Sequence, residues 1–117
     1  MSVLLCSGKV FFDLLLEQER RKTRDISIVR IEQLYPYPEW NLTRIMEAYS
    51  GAKEIVWVQE EPENMGAWNF MRNRVSQTVP FGRAFRCVAR PVSSSPSTGS
   101  LRAHRQEQAD LVRAAFE

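Results

Sequence analysis

The sequence predicts an α/β domain: a mostly parallel sheet with helices on both faces, a three-layer sandwich. Three observations lead there. Four short apolar runs are each followed by a stretch with apolar residues at helical spacing, so strand and helix alternate along the chain. The runs are apolar almost without interruption, as strands covered on both faces are. Right-handed crossovers between successive parallel strands then place helices on both sides of the sheet.

The first run, Ser2 to Cys6, ends at Ser7-Gly8. Val10, Phe11, Leu14 and Leu15 follow at helical spacing up to the polar tail Glu17 to Lys22. Ile26 to Ile31 is the second strand. Gln33 to Pro38 is a turn-rich link with two prolines, and Pro38 suits the first turn of a helix. Leu42, Ile45, Met46 and Tyr49 form one face of that helix, which Gly51 is expected to end. Ile55 to Val58 is the third strand, and a polar cluster beginning at Gln59 lies past its carboxyl end. Trp68, Met71 and Val75 mark a third helix, closed by Pro80-Phe81-Gly82. Phe85 to Val88 is the fourth strand. The Ser/Pro-rich stretch Val92 to Ser100 reads as an ordered loop with capping residues at its end, and the last helix runs from about Leu101 to Phe116.

At 117 residues the chain is one domain with enough length for a real core. Apolar residues make up 44% of it, which excludes disorder. The net charge is +2 with both signs mixed along the chain, so no basic face argues for nucleic acid. No apolar run approaches the roughly 20 residues that span a bilayer. Met1 to Cys6 lacks the charged region and cleavage site of a signal peptide. Cys6 and Cys87 each lie in an apolar, strand-like run, which points to buried free thiols in a reducing compartment. One histidine and two separated cysteines do not make a zinc site of usual spacing.

The stretch Val58 to Trp68 carries the most information. It holds Glu60, Glu61, Pro62, an Asn64-Met65-Gly66 turn and Trp68 behind a buried strand. In α/β proteins that end of the sheet meets ligands or other subunits. A strand-end loop with a proline stop and a helix cap is the plainer reading, and both stay open here. Glu60 and Glu61 are neighbours on an extended chain and point in opposite directions, so they do not form one acid/base site. Ser7-Gly8-Lys9 lacks the glycine spacing of a nucleotide loop and reads as a strand-to-helix turn. Arg20-Arg21-Lys22 suits the negative end of the first helix, or alternatively an anion. His104 has no nucleophile in a recognisable setting, so it is not part of a catalytic triad. Trp40, Trp57 and Trp68 read as core or interface anchors.

Four segments, in order, carry a resemblance over nearly the whole chain. They are Leu4 to Val10 with Asp13, Leu14 and Leu15; Ile28 to Pro36; Val58 to Pro62 with Asn64, Gly66, Ala67 and Trp68; and Arg90-Pro91 with Ser95-Pro96, Thr98-Gly99 and His104. Together they resemble the C-terminal domain of the decarboxylating component of 2-oxoglutarate dehydrogenase, a thiamin-diphosphate enzyme. The family usually has Gln where Met65 stands, and often two tyrosines where Phe11-Phe12 stand. The related domain of 2-oxoadipate dehydrogenase shares the pattern.

The resemblance implies a transketolase C-terminal-domain-like fold with strand order second, first, third, fourth. It implies an extra antiparallel strand supplied upstream by the full protein. It also implies that residues 1–117 are the single C-terminal domain of a larger multidomain enzyme. No cofactor belongs to this chain on that reading; thiamin diphosphate and magnesium sit in upstream domains. The implied partners are those domains, a homodimer mate and the lipoyl succinyltransferase complex, with no nucleic acid and no membrane. The location would be the cytoplasm in a bacterium or the mitochondrial matrix in a eukaryote. The expected role is structural and dimerising, with Glu60, Glu61, Asn64, Met65 and Trp68 and the Ser93 to Thr98 loop packing against the rest of the enzyme. The alternative is a regulatory module for a nucleotide-type effector such as acetyl coenzyme A or AMP, held by Lys9, Arg20 and Arg21.

Overall fold

The computed structural model describes residues 1–33, 38–78, 83–91 and 101–117. The expected Pro80-Phe81-Gly82 stop, the Ser93 to Thr98 loop and most of the Gln33 to Pro38 link lie outside them. Among the described residues four strands and four helices alternate: β1 (Ser2–Cys6), α1 (Val10–Arg21), β2 (Ile26–Arg30), α2 (Glu39–Ala48), β3 (Glu54–Pro62), α3 (Trp68–Thr78), β4 (Ala84–Arg90) and α4 (Leu101–Phe116). The strands form one sheet in the order β2-β1-β3-β4, as the resemblance implied. Every neighbouring pair is parallel.

Strand periodicity divides the core in two, because successive side chains leave a strand on opposite faces. Val3, Leu5, Ile55 and Trp57 face one way, onto Leu42 and Met46 of α2 and Met71 and Val75 of α3. Leu4, Cys6, Val56 and Val58 face the other way, onto Val10 and Leu14 of α1 and Leu111, Val112 and Ala115 of α4. Val3 to Cys6 of β1 and Ile55 to Gln59 of β3 are buried, which is why the central strands read as apolar runs. The edge strand β2 is only half-buried along most of its length.

The elements are tied by polar contacts at the sheet ends. Gln18 of α1 donates to the Ile26 carbonyl at 2.6 Å, fixing the helix against the start of β2. Arg83 donates to the Met46 and Ser50 carbonyls at 3.3 and 3.0 Å. It serves the negative end of α2, which has no basic residue in its own last turn.

Two expectations need correction. The third strand continues through Gln59, Glu60 and Glu61 to Pro62, so these residues belong to the strand. The extension contains a bulge. Val58 pairs with Val88 and Pro62 with Arg90, so four steps along β3 match two along β4. Polarity disguised this extension, because the buried side chain there is a glutamine whose hydrogen bonds are all made within the fold. The second helix ends at Ala48, with Tyr49 as its cap, and not at Gly51. The Tyr49 N–H bonds back to the Ile45 carbonyl at 3.0 Å, and the Ala52 N–H then bonds to the Tyr49 carbonyl. The chain turns without a left-handed glycine.

Cys6 and Cys87 are both free thiols. β3 lies between their strands, and the two side chains also pack on opposite faces of the sheet. Burial pushes each thiol up to about 12, against the opposing pull of Arg30 at Cys6 and with a smaller push from Glu63 at Cys87. The unreduced native protein should therefore show the full thiol mass, and alkylation of both cysteines should follow unfolding. A mass lower by two hydrogens, or rapid labelling of Cys6 in the native state, would contradict this.

Candidate functional site

The carboxyl ends of the strands gather the polar residues that the sequence singled out. Gln59 is at the centre, with 3% of its surface exposed. Its Oε1 accepts from the Trp57 indole N–H at 2.9 Å and from the Trp68 backbone N–H at 3.0 Å. Its Nε2 donates to the carbonyls of Pro62 and Met65 at 2.9 and 2.8 Å, and to that of Glu61 at 3.3 Å. One amide thus joins the largest core side chain, the bulge, the turn and the first residue of α3. The turn needs Gly66 at φ +68, where a Cβ would stand 2.9 Å from Glu61 Oε2 and 3.2 Å from Glu61 Cβ.

Beside it, facing α1 and α4, lies a charged network. Glu60 leaves the strand on that side, as alternation requires. Gln108 of α4 donates through Nε2 to Glu60 Oε1 at 3.0 Å and to Asp13 Oδ2 of α1 at 2.8 Å. Its Oε1 accepts from Arg90 Nη2 at 2.8 Å. The orientation of this amide follows from its partners, since carboxylates only accept and guanidinium only donates. Arg90 Nη1 lies 3.1 Å from His104 Nδ1. Arg90 Nε is buried with no hydrogen-bond partner among the described residues.

The residues expected at an interface are distributed along this rim. Glu60 is half-buried and held by Gln108, whereas Glu61 and Asn64 are exposed. Met65 contributes its backbone carbonyl, so the contact with Gln59 does not depend on the side chain at this position. The Trp68 ring tilts against Phe85 with centroids 5.3 Å apart. The residues expected to bind an effector do not converge. Lys9 precedes α1, while Arg20 and Arg21 end it, roughly 16 Å away along the axis. Both arginines are hydrogen-bonded to Glu17, and Arg21 also lies over the Phe116 ring at 5.3 Å.

Asp13, Arg90 and His104 stood among the residues of the resemblance, but nothing in the sequence joined them into one network. Gln108 gave no signal at all, because a glutamine on a polar helix looks like solvated surface. The position of Gln59, directly after a buried apolar run, was the one local hint.

Chemically, these groups hold structure and leave little for reaction. The two carboxylates are committed to one amide. The thiols, at about 12, stay protonated near neutrality and are poor nucleophiles. No group of three or more His, Cys, Asp or Glu among the described residues could hold a metal ion. No helix among them is long and apolar enough to cross a membrane.

The fold and rim define a class: a doubly wound, all-parallel α/β domain with a carboxyl edge closed by its own hydrogen bonds. The comparisons give the family. Residues 1–116 match the family described as 2-oxoglutarate dehydrogenase C-terminal. The chain is 39% identical over 114 residues to the 2-oxoglutarate dehydrogenase E1 component of Cupriavidus necator, and 38% identical over 114 residues to that of Haemophilus influenzae. It is 40% identical over 117 residues to the E1 component of Rickettsia felis. Each match covers 97% of this chain and 12% of the relative. The chain belongs to the 2-oxoglutarate dehydrogenase C-terminal family, and it spans about 12% of the length of these curated relatives.

Two measurements check the energetics of the rim. Gln59→Leu leaves the Trp57 indole and the Trp68 N–H without their acceptor, and should cost about 3 kcal/mol or more in chemical denaturation. Gln59→Glu keeps the acceptor but sets a carboxylate against three carbonyls, which raises its folded pKa above the unfolded value near 4.3. Its deficit relative to the parent should therefore grow as pH rises from about 4 to about 8. An equal deficit at both ends would show that Gln59 does not face those carbonyls. Glu17 gives the opposite sign. Hydrogen bonds from Arg20 and then Arg21 lower it from 4.5 to about 2. Its contribution is complete above the ordinary glutamate range and is lost as pH falls towards 2, a loss that Glu17→Gln should abolish.

Proposed function

We propose that residues 1–117 are the C-terminal domain of a larger, multidomain 2-oxoglutarate dehydrogenase and that their role is structural and dimerising. The observation that carries this reading is the match across residues 1–116 to a family named for the C-terminus of that enzyme. The small share of the relatives that it spans agrees. On this reading the parent oxidatively decarboxylates 2-oxoglutarate and passes the succinyl group to a lipoyl carrier. Thiamin diphosphate and magnesium, which supply the carbanion chemistry, are held by upstream domains. The partners are those domains, a second copy of the enzyme and the lipoyl succinyltransferase. In a bacterium, the source of the relatives named above, the location is the cytoplasm.

Within the domain, the exposed tip with Glu61 at the end of β3 and Asn64 in the turn after it is the proposed contact with the rest of the enzyme, with Glu60, Met65 and Trp68 supporting it from behind. A pinned turn suits that purpose, because a surface ordered in advance loses little entropy on docking. A regulator site at Lys9, Arg20 and Arg21 has less support. Glu17 already engages both arginines, and Lys9 lies at the far end of the helix.

The test compares the isolated chain with the longer protein, each given 2-oxoglutarate, thiamin diphosphate, magnesium and an electron acceptor. The isolated chain should be inactive, and the longer protein active only while these residues are present. Turnover by the isolated chain, or a longer protein indifferent to their removal, would overturn the reading. Faster turnover of 2-oxoadipate than of 2-oxoglutarate would assign the domain to the sister enzyme.

A further inference from the structure

Arginine donates hydrogen bonds and accepts none. The 3.1 Å contact between Arg90 Nη1 and His104 Nδ1 therefore has one possible sense: Nδ1 accepts, and the single imidazole proton sits on Nε2. A second proton, placed on Nδ1, removes that lone pair. It also sets an imidazolium against a guanidinium at hydrogen-bonding distance, where two like charges repel.

The guanidinium has little freedom to step aside. Its other terminal nitrogen is bonded to Gln108 Oε1, and the Gln108 amide nitrogen is held by Asp13 and Glu60. Strain from protonation therefore falls on the histidine. His104 also lines the groove between α1 and α4, with Asp13, which accepts from Gln108, and Glu17, which accepts from Arg20 and Arg21.

We propose that the Arg90–His104 contact is a proton-operated latch joining the carboxyl end of β4 to the first turns of α4, closed while His104 is neutral and released when it is protonated. The surrounding charges act on both sides of that balance. Arg90 from β4 opposes a charged His104, as do Arg20 from α1 and Arg102 and Arg105 on α4 itself. Asp13 and Glu17 from α1 favour it on the groove side, Glu60 of β3 does so through Gln108, and Glu107 lies one turn away on α4.

The test is amide hydrogen exchange of the purified protein over the first turns of α4, corrected for intrinsic rates. It is read at about pH 8 and about pH 5.5, a window in which histidine titrates and ordinary carboxylates do not. The native protein should lose protection there by roughly tenfold at the lower pH, the size expected for one hydrogen bond to a charged group. Amides of α3 serve as the internal reference. His104→Gln keeps an acceptor and does not titrate, so its protection should be the same at both values. His104→Ala should show the low protection at both. The proposal is overturned if the native protein shows no pH dependence there, or if His104→Gln shows the same drop. Full protection of His104→Ala at the higher pH would also overturn it.

Discussion

Burying one glutamine side chain beneath a turn is the constraint on which the carboxyl edge of this domain depends. An unpaired buried amide is costly, so Gln59 is tolerated only because both of its ends are satisfied. Satisfying them fixes much else. Three carbonyls must curl back over the end of β3, and an ordinary parallel ladder cannot aim them there. The bulge between Val58 and Pro62 does, by adding residues that the β4 side does not match. The turn then needs a positive φ at Gly66, and α3 must begin where the Trp68 N–H can reach the same oxygen. The Trp57 indole, otherwise a buried donor without a partner, is served by the same group.

The rim is thus polar without being open. Gln59 on one face of β3 and Gln108 on the other perform matching tasks: each is an amide that presents its oxygen to donors and its nitrogen to acceptors. A carboxylate in either place would meet acceptors that it cannot satisfy, and an aliphatic residue would strand several groups at once. Glutamine is the side chain with both functions and enough reach. In doubly wound sheets this edge is where ligands are commonly met. Here the hydrogen-bonding capacity of Gln59 and Gln108 is turned inward, and among the described residues of the tip Glu61, Glu63 and Asn64 face solvent.

The sequence announced the fold because the fold depends on apolar periodicity. Strands buried on both faces leave unbroken runs, and amphipathic helices leave stripes. β1 and the start of α1 could be placed to the residue by these signals together with Gly8. The end of β3 was hidden for the same reason: a strand that continues past its last apolar residue has no periodic signal once its core-facing side chain is polar. The rim network was harder to read. Its members come from α1, β3, β4 and α4, and a pairing such as Asp13 with Gln108 spans most of the chain. No local pattern encodes it. The left-handed cap at Lys22, with φ 53, was likewise invisible, because a glycine or an asparagine would have been the usual marker.

Two groups usually taken as signs of chemistry, paired acids and cysteines, are here explained by structure. Glu60 and Glu61 differ in role because a strand separates neighbouring side chains: one is bound into the rim and the other is solvated. Cys6 and Cys87 fill small spaces on opposite faces of the sheet, and burial keeps both protonated. The exposed surface includes an ordered acidic turn, the side chains of Phe12 and Leu16 on α1, with Phe12 held under the Arg30 guanidinium, and Trp40 on α2 under the Arg44 guanidinium. Rigid turns and pre-positioned aromatic rings are poor tools for moving protons but good ones for docking, since their geometry is set before contact.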